Sequence, residues 1–174
     1  MNHSERVKLI RDAIPDPGGI WADLGSGGGA FTLALAELIG EAGEIYSVDA
    51  DTRSLQQQKK AFHKMFPGRK VHFLAADFTR PLDLPKLNGI VMANALHYVK
   101  QKEAVIREIR RYLGPGARLI LVEYNISKGS FWVPYPIPFP EWKTLAGIAG
   151  FSDTRLIGTA PSRYHHEIYS AVSW

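Results

Sequence analysis

The stretch Gly19 to Phe31, GIWADLGSGGGAF, constrains the fold more than any other part of the chain. Ile20, Trp21, Ala22 and Leu24 form a short apolar run suited to a buried strand. Gly25, Ser26, Gly27, Gly28 and Gly29 break it, and a helical pattern starts at Phe31. A glycine-rich turn between strand and helix admits backbone angles that side chains forbid, and it lets a ligand lie directly against the main chain. The stretch therefore predicts a cofactor loop at a strand end.

Glycine spacing does not name the cofactor. Gly25, Gly27 and Gly29 make a G-x-G-x-G, and Ala30 stands where the dinucleotide fingerprint has its third glycine, a substitution that fingerprint tolerates. Asp23, two residues before the first glycine, is more selective. A carboxylate at the mouth of the loop opposes a pyrophosphate seeking the helix N-terminus and suits a cation. S-adenosylmethionine carries an ammonium and a sulfonium and no phosphate, so an acidic residue here fits it.

ADLGSGGG resembles the first motif of the class I S-adenosylmethionine-dependent methyltransferases. In that family an acidic residue about twenty positions on, at the end of the second strand, holds both ribose hydroxyls; Asp49 in IYSVDAD takes that place, followed by Ala50. An Asp after strand three lies beside the adenine amino group, and Asp77 in VHFLAADF matches it, with Phe78 next. A fourth mark is a strand ending in a polar residue and running into a triplet such as LHH; here Asn94 to Tyr98 read NALHY. By itself each aspartate also suits a helix cap or a turn. Their order, each at a strand end, is what carries the likeness. The resemblance implies a cofactor site of Asp23, Gly25, Ser26, Gly27, Gly29, Asp49, Ala50, Asp77, Phe78 and Asn94. It also implies a Rossmann-like, mostly parallel seven-stranded sheet whose last strand is antiparallel.

The chain in order agrees with this. Ser4 to Ile14 reads as a short helix capped by Ser4 and stopped by Pro15. Little chain precedes the glycine loop, so a lid over the site is expected from elsewhere. Helices are predicted over Phe31 to Ile39, Thr52 to Phe66, Lys102 to Leu113 and Pro140 to Gly150. Strands are predicted over Glu44 to Val48, Val71 to Ala75, Ile90 to Ala93 and Arg118 to Tyr124, with Gly114, Pro115 and Gly116 ending the preceding helix. Alternating strands and helices on short loops indicate a parallel sheet covered on both faces. Two further strands, Thr154 to Gly158 and Glu167 to Ser173, have no helix between them, and a turn through Ala160, Pro161 and Ser162 predicts an antiparallel return.

The segment Ser127 to Pro140, SKGSFWVPYPIPFP, is rich in proline and aromatic residues. Its prolines lack an amide proton, which rules out a central strand and leaves an extended, stiff loop. Trp132 and Tyr135 are the candidates for a lid over the acceptor; the alternative is that these rings cover the end of the sheet. His97 and Tyr124 are further acceptor-side candidates. Methyl transfer gains much from positioning the nucleophile, and an imidazole base is optional. His165 and His166 are adjacent, so in a strand they point to opposite faces, and no metal is assigned.

At 174 residues with 45% hydrophobic positions, residues 1–174 are the size of one domain, burying about 70% of the unfolded surface. The absence of cysteine excludes disulfides, thiolate metal sites and methylation through a covalent cysteine adduct. The first residues lack the apolar core of a signal peptide and no run suits a membrane span, so the expected location is cytoplasmic, with no membrane partner. The net charge of +4 invites a nucleic-acid reading, and Lys59, Lys60, Lys64, Arg69 and Lys70 cluster, as do Arg107, Arg110 and Arg111; the last three alternate with Ile106, Ile109 and Tyr112 as the wet face of an amphipathic helix, and nucleic-acid binding calls for a denser basic stripe with base-stacking aromatics. The expected partner is a small, apolar or aromatic acceptor. The rival readings are an RNA methyltransferase, a dinucleotide-dependent oxidoreductase and a non-catalytic S-adenosylmethionine-binding module; the oligomeric state is left open.

Overall fold

The structure is a computed structural model and describes residues 1–162 and 167–174. Seven strands make one sheet: β1 (Gly19–Leu24), β2 (Gly43–Asp49), β3 (Lys70–Ala75), β4 (Leu87–Ala93), β5 (Leu113–Tyr124), β6 (Thr154–Pro161) and β7 (Glu167–Ser173). Their spatial order is β3-β2-β1-β4-β5-β7-β6. β1 pairs in parallel with β2 and β4, while β7 runs antiparallel between β5 and β6. Six strands thus share one direction and the last reverses, as expected. The order turns back on itself between β1 and β4, which opens a crevice beyond their carboxyl ends.

Among the described residues five α-helices cover the sheet: α1 (His3–Arg11), α2 (Ala30–Ile39), α3 (Thr52–Met65), α4 (Lys102–Arg110) and α5 (Phe139–Ala149). The central strands read as unbroken apolar runs because both of their faces are buried. Along β4, Ile90 and Met92 enter the layer with Ile106, Ile109 and Trp142, while Val91 enters the opposite layer with Ile10, Leu35 and Phe62. β5 alternates the same way, Leu119 and Leu121 on one side and Ile120 and Val122 on the other.

Several boundaries differ from the expectation by a few residues, β4 starting at Leu87 and β5 at Leu113 among them, and two of the helix ends have a clear physical cause. Helix α1 is capped by Asn2, not Ser4: the Asn2 side chain accepts from the Glu5 amide at 2.9 Å, and the Glu5 carboxylate accepts from the Asn2 amide at 2.6 Å. This reciprocal box satisfies two otherwise free N–H groups, which a cap at Ser4 would not. Helix α4 ends at Arg110, because Tyr112 O accepts from the Leu87 amide at 2.9 Å and Leu113 already pairs with Leu87 in the sheet. Gly114, Pro115 and Gly116 are therefore an excursion inside β5, opposite a register shift between Leu87 and Gly89. Ala160 and Pro161, expected in a turn, belong to strand β6.

Candidate functional site

The glycine loop is tied to β2 before any ligand is considered. Gly25 and Ser26 both donate their amides to Val48 O, at 2.9 and 3.0 Å, and the Gly27 amide donates to Asp49 Oδ2 at 2.7 Å. Asp49 Oδ1 accepts from the Asp51 amide at 2.8 Å, and Asp51 caps α3. Each oxygen of Asp49 keeps a second lone pair for a ligand. Gly27 has φ +51°, and a Cβ built there meets nothing within 4 Å, so the space above it is open for a ligand. Gly29 differs: it does not line the cavities, and a Cβ there would overlap the Gln58 side chain, so its smallness serves packing.

Under the loop lies a polar network that the sequence reading missed. Gln58, 1% exposed on α3, donates through Nε2 to Thr32 Oγ1 at 2.6 Å and Ser47 Oγ at 2.7 Å. Ser47 donates to Ser26 Oγ at 2.8 Å, and Ser26 to Gln58 Oε1 at 3.2 Å. Thr32 donates to Asp23 Oδ2 at 2.6 Å. A signal existed: Leu55, Gln58 and Phe62 share the buried stripe of α3, and an amide in such a stripe needs partners.

Asp23 is the most unusual charge in the structure. It is 1% exposed, and its Oδ1 has no hydrogen-bond partner among the described residues. Burial pushes its carboxyl up to about 7; repulsion from Asp49 adds to this, and the Thr32 hydrogen bond opposes it. Asn94, at the end of β4, has φ +52°, rare for a residue with a side chain, and its buried Oδ1 is also unpartnered.

Two cavities meet at Gly25, Gly27 and Asn94. The larger, about 890 Å³, is lined by Asp49, Ala50, Asp77, Phe78, Ala95 and Tyr98 among others. Asp77 Oδ1 accepts from the Thr79 amide at 2.9 Å and Thr79 Oγ1 at 2.7 Å, bonds that hold its carboxyl below the usual carboxylate range. It is thus a turn residue and a cavity residue together. The smaller cavity, about 380 Å³, has Asp23 and Ser26 in its wall with Phe31, Ala93, Tyr124 and Ile168. Met1, which precedes α1, and Arg6 on α1 also line it.

Three acceptor-side candidates are not brought to these cavities. His97 is 2% exposed, and its Nδ1 lies 2.7 Å from Glu123 Oε2. Glu123 Oε1 also accepts the amides of Leu96 and His97 at 2.9 and 3.1 Å, so the pair fastens the turn after β4. Glu123, the lone charge in LILVEY, was the sequence signal for it. Trp132 is 72% exposed and stands clear of both cavities, as does Tyr135, whose amide donates to His97 O at 3.0 Å. Neither the lid nor the sheet-cover account describes Trp132; Val133 and Ile137 are the residues that sink into the core. His165 and His166 lie outside the described residues.

The glycine loop at a topological switch point, the acidic residue closing β2 and the buried carboxylate beneath make this crevice the candidate ligand site of an open α/β protein. A family model described as a methyltransferase domain matches residues 16–144, and the chain belongs to that family, with the fold of the class I S-adenosylmethionine-dependent methyltransferases. It is 29% identical over 104 residues to the 2-phytyl-1,4-naphtoquinone methyltransferase of Nostoc punctiforme, covering 59% of this chain and 45% of that protein. It is 30% identical over 104 residues to the ubiquinone/menaquinone biosynthesis C-methyltransferase UbiE of Azotobacter vinelandii, covering 59% and 41%. These alignments take in less than half of each relative's length. The fold is shared with the magnesium protoporphyrin IX methyltransferase of Synechocystis, solved with S-adenosylmethionine bound (TM-score 0.72, 21% identity, 97% of this chain and 76% of that one). It is shared also with a methyltransferase from Aquifex aeolicus (TM-score 0.72, 16% identity, 99% and 98%).

Proposed function

We propose that this chain transfers the methyl group of S-adenosylmethionine to a small apolar or aromatic acceptor. The observation that carries this is the unpartnered Oδ1 of Asp23, a buried carboxylate oxygen in the wall of a cavity entered over the glycine loop. An unpaired buried carboxylate costs folding free energy, and a ligand ammonium removes that cost. A pyrophosphate would meet it with repulsion, which disfavours the dinucleotide rival.

In this reading Asp23 faces the amino-acid end of the cofactor, Asp49 accepts from the ribose hydroxyls, and Asp77 and Phe78 border the base. Gly25, Gly27 and Asn94, common to both cavities, lie beside the sulfonium. The bound cofactor supplies an electrophilic methyl group. The chain supplies orientation: the Glu123 carboxylate fixes the turn that carries Asn94, and Phe31, Ala93, Tyr124 and Ile168 give the smaller cavity an apolar wall that favours a ring over water. The quinone-directed names of the relatives support an apolar acceptor.

Calorimetric titration with S-adenosylhomocysteine tests the reading. Saturable binding that Asp23→Asn weakens is expected; a chain that binds reduced nicotinamide dinucleotide and not S-adenosylhomocysteine overturns it.

A further inference from the structure

Phe131 and Trp132 are 86% and 72% exposed, more than any other large apolar side chain among the described residues. Their exposure is built in. On one side Val133 and Ile137 are sunk in the core; on the other the Ser130 amide donates to Val133 O at 3.0 Å and the Val133 amide to Ser130 Oγ at 3.2 Å. Phe131 and Trp132 therefore occupy the apex of a closed turn, and their rings pack edge to face with centroids 5.2 Å apart. Pro134, Pro136, Pro138 and Pro140 stiffen the flank that follows. These bonds brace the backbone that presents the ring pair to solvent.

Charge gives the turn a direction. From Asn125 to Pro140 the chain has one lysine, the exposed Lys128, and no acidic residue. Glu123, just before, is buried in its pair with His97. The segment is linked to the cleft: Tyr135 donates its amide to His97 O, the adjoining Tyr98 is 59% exposed and lines the larger cavity, and Lys102 Nζ lies 5.5 Å from the Tyr135 ring centroid. Exposed Lys100 lines the same cavity. Carboxylates accompany the lysines on the cleft side, Asp49 and Asp77 beside Lys100 and Glu103 and Glu141 beside Lys102, but the segment that carries Phe131 and Trp132 has Lys128 and none, a composition that matches the boundary between headgroups and acyl chains, where Trp and Tyr accumulate and anionic phosphates attract Lys.

We propose that this turn docks the protein on the surface of an anionic bilayer, with Phe131 and Trp132 inserted at the headgroup boundary and Lys128 against phosphate. That such docking brings an apolar acceptor to the enzyme rests on the methyl-transfer reading, whereas the docking itself does not. The expectation of no membrane partner came from the lack of a spanning segment, and no helix among the described residues is long and apolar enough to cross a membrane. Surface docking requires none.

Co-sedimentation of the chain with vesicles of phosphatidylcholine alone and of phosphatidylcholine mixed with phosphatidylglycerol tests this. Binding to the mixed vesicles is expected, with a blue shift of tryptophan emission in a Trp174→Phe background that Trp132→Phe abolishes, since Trp21 and Trp142 are buried already. Phe131→Ala with Trp132→Ala should lower partitioning at least about tenfold, and Lys128→Ala about fivefold in the anionic vesicles only. Melting temperature and S-adenosylhomocysteine affinity should stay at the parent's values in all of them. Failure of the parent to sediment with anionic vesicles, or equal sedimentation of the double alanine variant, overturns the proposal. So does a lipid-free dimer, or a complex with an acidic acyl-carrier protein, that needs both rings and forms while vesicles are ignored. Loss of S-adenosylhomocysteine binding in the parent would instead overturn the methyl-transfer reading and leave the vesicle result standing.

Discussion

Asp23 joins stability to binding through one proton. Unfolded, its carboxyl titrates near the ordinary 3.8; folded, at about 7. Between these values the folded chain holds a proton that the unfolded chain has released, so stability falls as pH rises through this window and is level above it. Asp23→Asn removes that loss. Its melting temperature should exceed the parent's at about pH 8, where the cost is full and of order 4 kcal/mol, with little difference at about pH 4. Cofactor affinity should move the other way. A ligand ammonium needs the ionised carboxylate, so the parent's affinity for S-adenosylhomocysteine should rise between about pH 6 and about pH 8, and the asparagine variant's should be lower and flatter. Calorimetry across pH with thermal melts on the same samples measures both; an affinity indifferent to pH in this range would detach Asp23 from the ligand. Two further substitutions belong at this scale. Asp49→Ala should weaken the same binding at least about tenfold, as each charge-assisted bond to a ribose hydroxyl contributes about 1.5 to 3 kcal/mol. At Gly27 a valine side chain enters the open space above the loop, so Gly27→Val should abolish binding while leaving a cooperative thermal transition.

Among the elements, the turn from Asn94 to Tyr98 is held by a strand it does not belong to. Glu123 on β5 takes both the Leu96 and His97 amides on one oxygen and the His97 ring on the other. Glu123→Ala leaves all three without a partner in a buried place and should cost about 3 to 5 kcal/mol. Glu123→Gln keeps an oxygen for the two amides and should cost much less, of order 1 kcal/mol. Chemical denaturation of both variants checks the difference, and equal losses would mean that the amide bonds are not what holds the turn. The same geometry explains why His97 looked functional in the sequence: a histidine after a strand end reads alike whether it faces a ligand or a neighbouring strand, and only the β4–β5 pairing puts Glu123 beside it. The loop prolines were legible because proline has a local effect. Which of the loop's apolar residues are buried was not, since Val133, Ile137 and Trp132 differ only in the direction the braced turn gives them.

For the whole molecule, a ligand that binds only the folded chain stabilises it by mass action. S-adenosylhomocysteine at about a hundred times its dissociation constant should add about 2.7 kcal/mol and raise the melting temperature of a chain this size by roughly 5 to 10 °C. Differential scanning fluorimetry measures it, and an unmoved transition would argue against a cofactor site in this cleft. The alternation of strand and helix, the glycine loop and the antiparallel ending were all written in local pattern: apolar runs, breakers and periodicity act over a few residues. Those signals determined the architecture and placed Asp23, Asp49, Asp77 and Asn94 at strand ends. Tertiary structure alone decided the strand order, which opens the crevice between β1 and β4. It also decided the burial that leaves Asp23 with an oxygen unpartnered among the described residues, the presence of Met1 and Arg6 in the cavity wall, and the exposure of Phe131 and Trp132. Each of these depends on what packs against a residue from a distant part of the chain, and neither spacing nor propensity carries that information.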